Sequence, residues 1–300
     1  MKIFVMNARP KGGSVLLLHL SVMLFGFSAV LGQFVDAPAV VIAGGRVVWS
    51  SAALLVFSLV QKSDLKLKSK KDCAVALAAG VVLAVHWTTF FQAIQSSSVA
   101  IGTITFSAFP LFLTFLEPQV FHEALRPRSV VTALVMLLGV GITVPSFSLE
   151  NQVTGGILWG LVSALAYAVL SLANRYLAER YPARTICLYE QGMAAVVLLP
   201  AMLFSRTEWS PQNFVGIAAI GLVCTAIAHS LYVAAQRHVK AQTAGIISGM
   251  ETVYGILFAL LFLGEVPGPR ELIGGAVILG VAVFSSCIPS APPKSDVPKT

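Results

Sequence analysis

Charged side chains are scarce in this 300-residue chain. Asp, Glu, Lys and Arg make up 11% of it and hydrophobic residues 57%, whereas a soluble domain carries about 25% charge. That balance excludes an ordinary soluble domain. Residues of chemistry are equally sparse. Cys73, Cys187, Cys224 and Cys287 stand far apart, with no CxxC and no histidine at metal-ligand spacing, so a zinc site and a disulfide framework drop out. There is no GxSxG, no HExxH and no Gly-rich phosphate loop running into Lys-Ser or Lys-Thr, which removes the common hydrolase and nucleotide-binding signatures. The acids are scattered, with Glu117 and Glu190 near span ends and Glu251 near the middle of a span. No cofactor, metal or enzymatic activity is expected.

What is present is long apolar runs. Crossing about 30 Å of hydrocarbon takes roughly 20 mostly apolar residues. Runs of that kind lie at 14–34, 38–60, 73–95, 98–120, 129–147, 153–178, 184–204, 211–235, 241–263 and 270–288. Their connections are short, so the expected fold is an all-α polytopic membrane protein of about ten transmembrane helices. The first run has an apolar core of about 20 residues, longer than the 7–15 of a signal peptide, and reads as a retained span. Residues 1–13 form a cytoplasmic N-terminal segment. Residues 289–300, with prolines, lysines and a serine, read as a disordered cytoplasmic tail.

Net charge is +7, which by itself would suit a nucleic-acid partner. The placement of the charge excludes that partner. With the N-terminus in the cytoplasm, the inner side receives Lys2, Arg9 and Lys11, then Lys62, Lys66, Lys68, Lys70 and Lys71, then Arg126 and Arg128. It also receives Arg175, Arg180, Arg184, Arg237, Lys240, Lys294 and Lys299. Only Arg206 and Arg270 fall outside, and Arg46 lies within a span. This is the positive-inside pattern for an even number of spans, with both termini cytoplasmic.

The chain also repeats itself. Residues 86–142 align without a gap on residues 228–284 at a constant offset of 142: Phe109-Pro110 falls on Glu251-Thr252, and Glu123 on Glu265. Each copy holds five spans, 14–147 and 153–288. An odd number per copy forces the copies to enter the membrane in opposite senses, the inverted-repeat plan of carriers with a midplane site.

Polar groups within spans mark where that site lies, because an isolated Arg or Asp at a helix centre costs about 2.5–3.5 kcal/mol on insertion scales and so faces protein. Glu251 sits mid-span; it either contacts a substrate ammonium, titrates during a cycle, or hydrogen-bonds a neighbouring helix. Arg46 attracts a substrate carboxylate, pairs with Glu251, or satisfies carbonyls near Gly44-Gly45. Its rough counterpart in the second half is Gln191, beside Glu190. His19, His86 and His229 also lie in spans, and the last two occupy nearly equivalent places. Trp87 follows His86, and Tyr232 follows His229 one turn later on the same face. A ring beside a polar neighbour suits an amphipathic organic solute, with Phe106, Phe109, Trp159, Tyr167 and Tyr254 extending the lining. Pro110 breaks a helix ladder at mid-span, where a cavity, Thr105 or Ser107 must satisfy the freed carbonyl. Gly156 and Gly160, and Gly245 and Gly249, permit close helix packing. Gly139 and Gly274 do so for the fifth and tenth spans, expected as a peripheral brace or a homodimer surface.

Two five-span halves, Gly-Arg-Val-Val in the second span and Leu-Phe-Leu-Gly-Glu from Leu261 to Glu265 resemble the EamA-type members of the drug/metabolite transporter superfamily. The second-half Glu-Pro of that family is matched by Glu251 but not by Thr252; the first half keeps Pro110 without the acid. The resemblance implies a ten-span carrier in the inner membrane that moves small organic metabolites outward, often amino acids and their derivatives. The expected function is export of a zwitterionic metabolite by alternating access, with His86, Trp87, Phe109, Pro110 and Tyr167 meeting His229, Tyr232, Ser248, Glu251 and Tyr254. Coupling to protons and facilitated export both fit. The alternatives are broad multidrug efflux and exchange of nucleotide sugars or sugar phosphates, the latter calling for more than one buried cation.

Overall fold

The computed structural model describes residues 11–121, 125, 127–144, 151–236 and 241–287. In order come α1 Lys11–Gln33, α2 Ala39–Val60, α3 Lys70–Ser96, α4 Val99–Phe106, α5 Phe109–Phe121 and α6 Pro127–Thr143. There follow α7 Gln152–Ala178, α8 Ala183–Phe204, α9 Pro211–Gly221, a π-helical turn Leu222–Ile227, α10 Ala228–Gln236, α11 Ala241–Leu263 and α12 Pro269–Cys287. No strand occurs among the described residues. Seven helical stretches are long and apolar enough to cross a membrane, and Val130–Thr143 and Ile247–Leu263 are shorter apolar helices. In hydrocarbon the backbone must satisfy itself, so helices are the available form. Residues 1–10, Glu123, Arg126, Arg237, Lys240, the side chain of Arg128 and the tail from residue 288 lie outside what is described, and Gly245 is described by its backbone alone.

Local chemistry sets the helix ends. Ser69, Ser98, Asn151 and Ser210 each accept a backbone N–H of the first turn of α3, α4, α7 and α9, as a capping side chain should. Gly264 ends α11 at φ +69°, a left-handed position that suits glycine. The fourth apolar run is not one helix. It breaks at Ser107-Ala108, just before Pro110, into α4 and α5, whereas its repeat counterpart α11 runs unbroken through Thr252. Thr252 closes the break from outside: its hydroxyl meets Ser107 Oγ and donates to the Thr103 carbonyl at 3.0 Å. Thr105 instead bonds back along its own helix, to the Ile101 and Gly102 carbonyls.

The helices pack in matched partnerships. α3 lies along α7, as α1 lies along α10 and the π turn. α1 also packs on α11, as α7 packs on α4 and α5, and α3 on α8, as α2 on α9. α2 packs on α8, and α6 on α12. Exchanging each first-half span for its second-half counterpart turns each of these contacts into another, except α2–α8 and α6–α12, which map onto themselves. The matching reaches single side chains. Asp72, third residue of α3 and capped by Ser69, accepts Tyr176 Oη at 2.9 Å and Tyr181 Oη at 2.6 Å. Asn213, third residue of α9 and capped by Ser210, accepts the Asp36 N–H and donates to the Asp36 carbonyl, both at 2.9 Å. Each ties a helix start to the neighbouring helix's last turn or the chain following it, α7 in one case and α1 in the other.

Glycines allow the closest approaches. A Cβ on Gly80 would lie 2.6 Å from the Glu190 carbonyl on α8, and one on Gly160 would collide with the Thr105 side chain on α4. Gly139 and Gly274 face each other across α6 and α12, while Gly141 and Gly280 face open space. The outer surface is apolar, with Val56, Leu59, Leu138, Leu203 and Phe204 each more than half exposed, as a bilayer-facing surface must be. Where α5 meets α7, Glu117 pairs with Arg175, whose guanidinium also covers Phe121 at 4.1 Å; both partners are well exposed, so the pair adds little. Gly160→Ala should destabilise the protein by about 1–3 kcal/mol through overpacking. Gly155→Ala, in the same helix but facing open space, should be neutral or gain up to about 1 kcal/mol in helix propensity. Thermal melts of the two purified variants check this; equal melting temperatures would refute the packing assignment.

Candidate functional site

A cavity lies where the two halves meet. It is lined by Phe25 and Ser28 of α1, Arg46 of α2, Leu83, His86, Trp87 and Phe90 of α3, and Phe106 of α4. The second half adds Tyr167 and Leu170 of α7, His229 of α10 and Glu251 of α11. The space open to water centres is about 30 Å³, room for a water or two but not for an amino acid. Helices must separate before a solute enters.

Arg46 is the best-anchored group. It is 2% exposed and lies seven residues, about 10 Å, from the start of α2. Its Nε donates to Thr225 Oγ1 at 2.9 Å, and Nη2 reaches the Cys224 carbonyl at 3.5 Å. The guanidinium lies 4.0 Å from the centroid of Trp87 and 5.4 Å from that of Phe91, a cation–π arrangement that gains strength away from water. The π turn prepares the other side. Thr225 Oγ1 donates five residues back to the Ile220 carbonyl at 2.8 Å, leaving its lone pair for Arg46. Gly221 lets the chain approach, since a Cβ there would lie 2.8 Å from the Arg46 carbonyl. π turns often accompany functional positions. No carboxylate lies within 4 Å of Arg46 among the described residues, so the pairing with Glu251 is not made in this conformation.

Glu251 lies midway along α11, 9% exposed, on the cavity wall. No hydrogen bond or ion pair to protein engages its carboxyl among the described residues. His86 is held by α7: its Nδ1 lies 2.8 Å from Ser163 Oγ and 3.1 Å from the Ser163 carbonyl. A nitrogen facing a carbonyl must carry a hydrogen, which fixes the tautomer with Nδ1–H. Tyr167 and Phe106 flank the ring at 5.1 and 5.2 Å. His229 meets Trp87 edge-on at 6.1 Å and Phe25 at 6.4 Å.

Seven residues singled out from sequence thus share the cavity: Arg46, His86, Trp87, Phe106, Tyr167, His229 and Glu251. The others stand behind it. Phe109 packs on Tyr167 at 5.0 Å and on Phe106 at 5.7 Å. Tyr232 and Ser248 bond to each other at 2.6 Å. Tyr254 Oη meets His19 Nδ1 at 3.2 Å. Pro110 is half-buried at the start of α5. Trp159 is 44% exposed on the outside of α7 and lines nothing. Sequence reasoning missed Phe25 and Ser28, whose three-residue spacing on one helix face was the available signal. It also missed that Glu190 is wholly buried beside His229.

A helical bundle with apolar outer walls and a ring-lined cavity holding charged groups between its halves is the architecture of a multi-pass membrane transporter. The EamA-like transporter family matches the chain twice, over residues 13–144 and 154–287, and the chain belongs to that family. It is 23% identical over 278 residues to an uncharacterized transporter of Bacillus subtilis, YxxF, covering 91% of this chain and 89% of that one. Over 272 residues it is 26% identical to the pseudopaline exporter CntI of Pseudomonas aeruginosa, covering 87% and 92%. A solved crystal structure shares the fold with TM-score 0.66 at 18% identity, over 92% of this chain and 97% of that one.

Arg46→Lys keeps the charge but loses the fork that reaches Thr225 and Cys224 together. It should destabilise the protein by about 1–3 kcal/mol, measured as a lowered melting temperature. An unchanged melt would mean that the anchoring described here contributes nothing.

Proposed function

We propose that the protein is an exporter of a small zwitterionic metabolite, an amino acid or a derivative of one, working by alternating access in the inner membrane with both termini cytoplasmic. One observation carries the reading: the cavity shared by the two halves holds one guanidinium, Arg46, and one carboxyl, Glu251, among aromatic rings. The Arg46 fork suits a solute carboxylate, Glu251 suits an ammonium, and the rings of Trp87, Phe90, Phe106 and Tyr167 suit the apolar body between them. Exchange of sugar phosphates fits less well, because Arg46 is the one Lys or Arg on the lining among the described residues. Outward direction is the reading favoured by the name of the pseudopaline exporter among its relatives.

Ten spans in two inverted halves, 14–147 and 153–288, underlie this cycle. The doubled family match and the matched helix partnerships support them. The Asp72–Tyr176–Tyr181 and Asn213–Asp36 clusters then stand at opposite ends of the bundle, and both are closed around a cavity too small for a solute. Opening either side means releasing one cluster while the other holds.

The test is a comparison of metabolites in the medium of cells producing the wild type and Glu251→Gln. One zwitterion or a few related ones should accumulate with the wild type and fall at least about tenfold in the variant, a loss of about 1.4 kcal/mol or more. Identical profiles, or accumulation of unrelated cations alone, would overturn the reading.

A further inference from the structure

Glu190 takes no part in the solute clamp, yet it is 0% exposed, with neither carboxyl oxygen hydrogen-bonded. The basic atom within 4 Å of it is His229 Nε2, at 3.5 Å and itself without a hydrogen bond. His229 also lines the cavity, so its imidazole stands between the carboxyl and the solute space. Both residues lie seven positions, about 10 Å, from the same end of the bundle, Glu190 from the start of α8 and His229 from the end of α10.

The pair has a counterpart. Trp87 and His229 are related by the 142-residue offset, and Arg46 has Glu190 and Gln191 as its neighbours in the repeat. Arg46 over Trp87 and Glu190 beside His229 are therefore the same helix contact in two copies. One copy holds a permanent cation; the other pairs a buried carboxyl with an imidazole.

A carboxylate buried away from water is costly to keep ionised, even with the Asn174 side chain and the His229 imidazole beside it. One proton held jointly by Glu190 and His229 leaves the pair neutral, whether it rests on oxygen or on nitrogen. Losing that proton leaves a lone buried anion, tolerable only when water reaches it. Proton release and hydration of this end of the bundle are thus a single event. We infer that Glu190 and His229 form a proton-binding site, separate from the Arg46–Glu251 solute clamp, that empties only when the adjoining end of the bundle opens. This rests on the transport reading and supplies its coupling ion: the proton arrives from the cavity through His229 and leaves to water at the open end.

The titratable and charged groups facing the pair are Cys187 on α8, Tyr167 on α7 and Tyr232 on α10. Across the cavity stand His86 on α3, Arg46 on α2 and Glu251 on α11. Cys187, one turn from Glu190 and buried, serves as a reporter of opening.

The experiment uses full-length protein and no solute, so its outcome is independent of the metabolite profiles. Infrared difference spectra between acid and alkaline pH should contain a protonated-carboxyl band that Glu190→Gln removes and Glu251→Gln retains. In a Cys73→Ser, Cys224→Ser, Cys287→Ser background, N-ethylmaleimide labelling of Cys187 should rise more steeply than the roughly tenfold per pH unit expected from thiolate formation alone. Glu190→Gln should return it to that slope. If Glu190→Gln folds poorly, Glu190→Asp should move the band's midpoint. A carboxyl band and a labelling slope indifferent to both substitutions would overturn the proposal, while loss of both in Glu190→Gln supports it.

Discussion

A cation inside a membrane protein persists only where the protein takes over from water, and the site is arranged around that demand at Arg46. Its head group meets three groups on two elements: Trp87 on α3, and the Thr225 hydroxyl and Cys224 carbonyl in the π turn. No acid neutralises it at contact distance among the described residues. Aromatic faces and backbone dipoles hold the charge instead, leaving it available to a charge that arrives from elsewhere. The π turn follows from the same demand. Thr225 reaches five residues back rather than four, and Gly221 lets α2 come close enough for the fork to reach.

The matched helix partnerships give this arrangement a second copy with different chemistry. Backbone packing tolerates little change, because glycines such as Gly80 and Gly160 leave no room for a Cβ. Side chains on the inner faces tolerate much more. Thr252 in place of a proline leaves α11 straight and ties it to the broken α4–α5 segment through Ser107 and Thr103. Glu190 beside His229 replaces a fixed charge with a protonatable one. Duplication explains the matched packing, and a few buried positions are where the two similar halves differ.

The helical membrane architecture and its doubled plan were legible from long apolar runs and the 142-residue offset, because lipid imposes length and burial rules that act on composition alone. The intramembrane groups Arg46, His86, Trp87, His229 and Glu251 stood out for the same reason: polarity there is costly and must face inward. Phe25, Ser28 and Leu83 did not stand out, since apolar and small residues line cavities and lipid-facing surfaces alike. Glu190 was misread because seven residues from a helix end looks superficial in sequence, whereas neighbouring helices close over it. Trp159 erred in the opposite sense, an aromatic near a glycine pair that turned out to face outward.

Sequence by itself determined that this chain is a helical membrane protein, where its apolar runs lie and which polar groups they must hide, because those properties follow from transfer energies along one run. Tertiary structure decided which hidden groups meet. Whether Arg46 finds a carboxylate or a tryptophan, and whether Glu190 finds water or an imidazole, depends on helix rotation and crossing, which no single helix specifies.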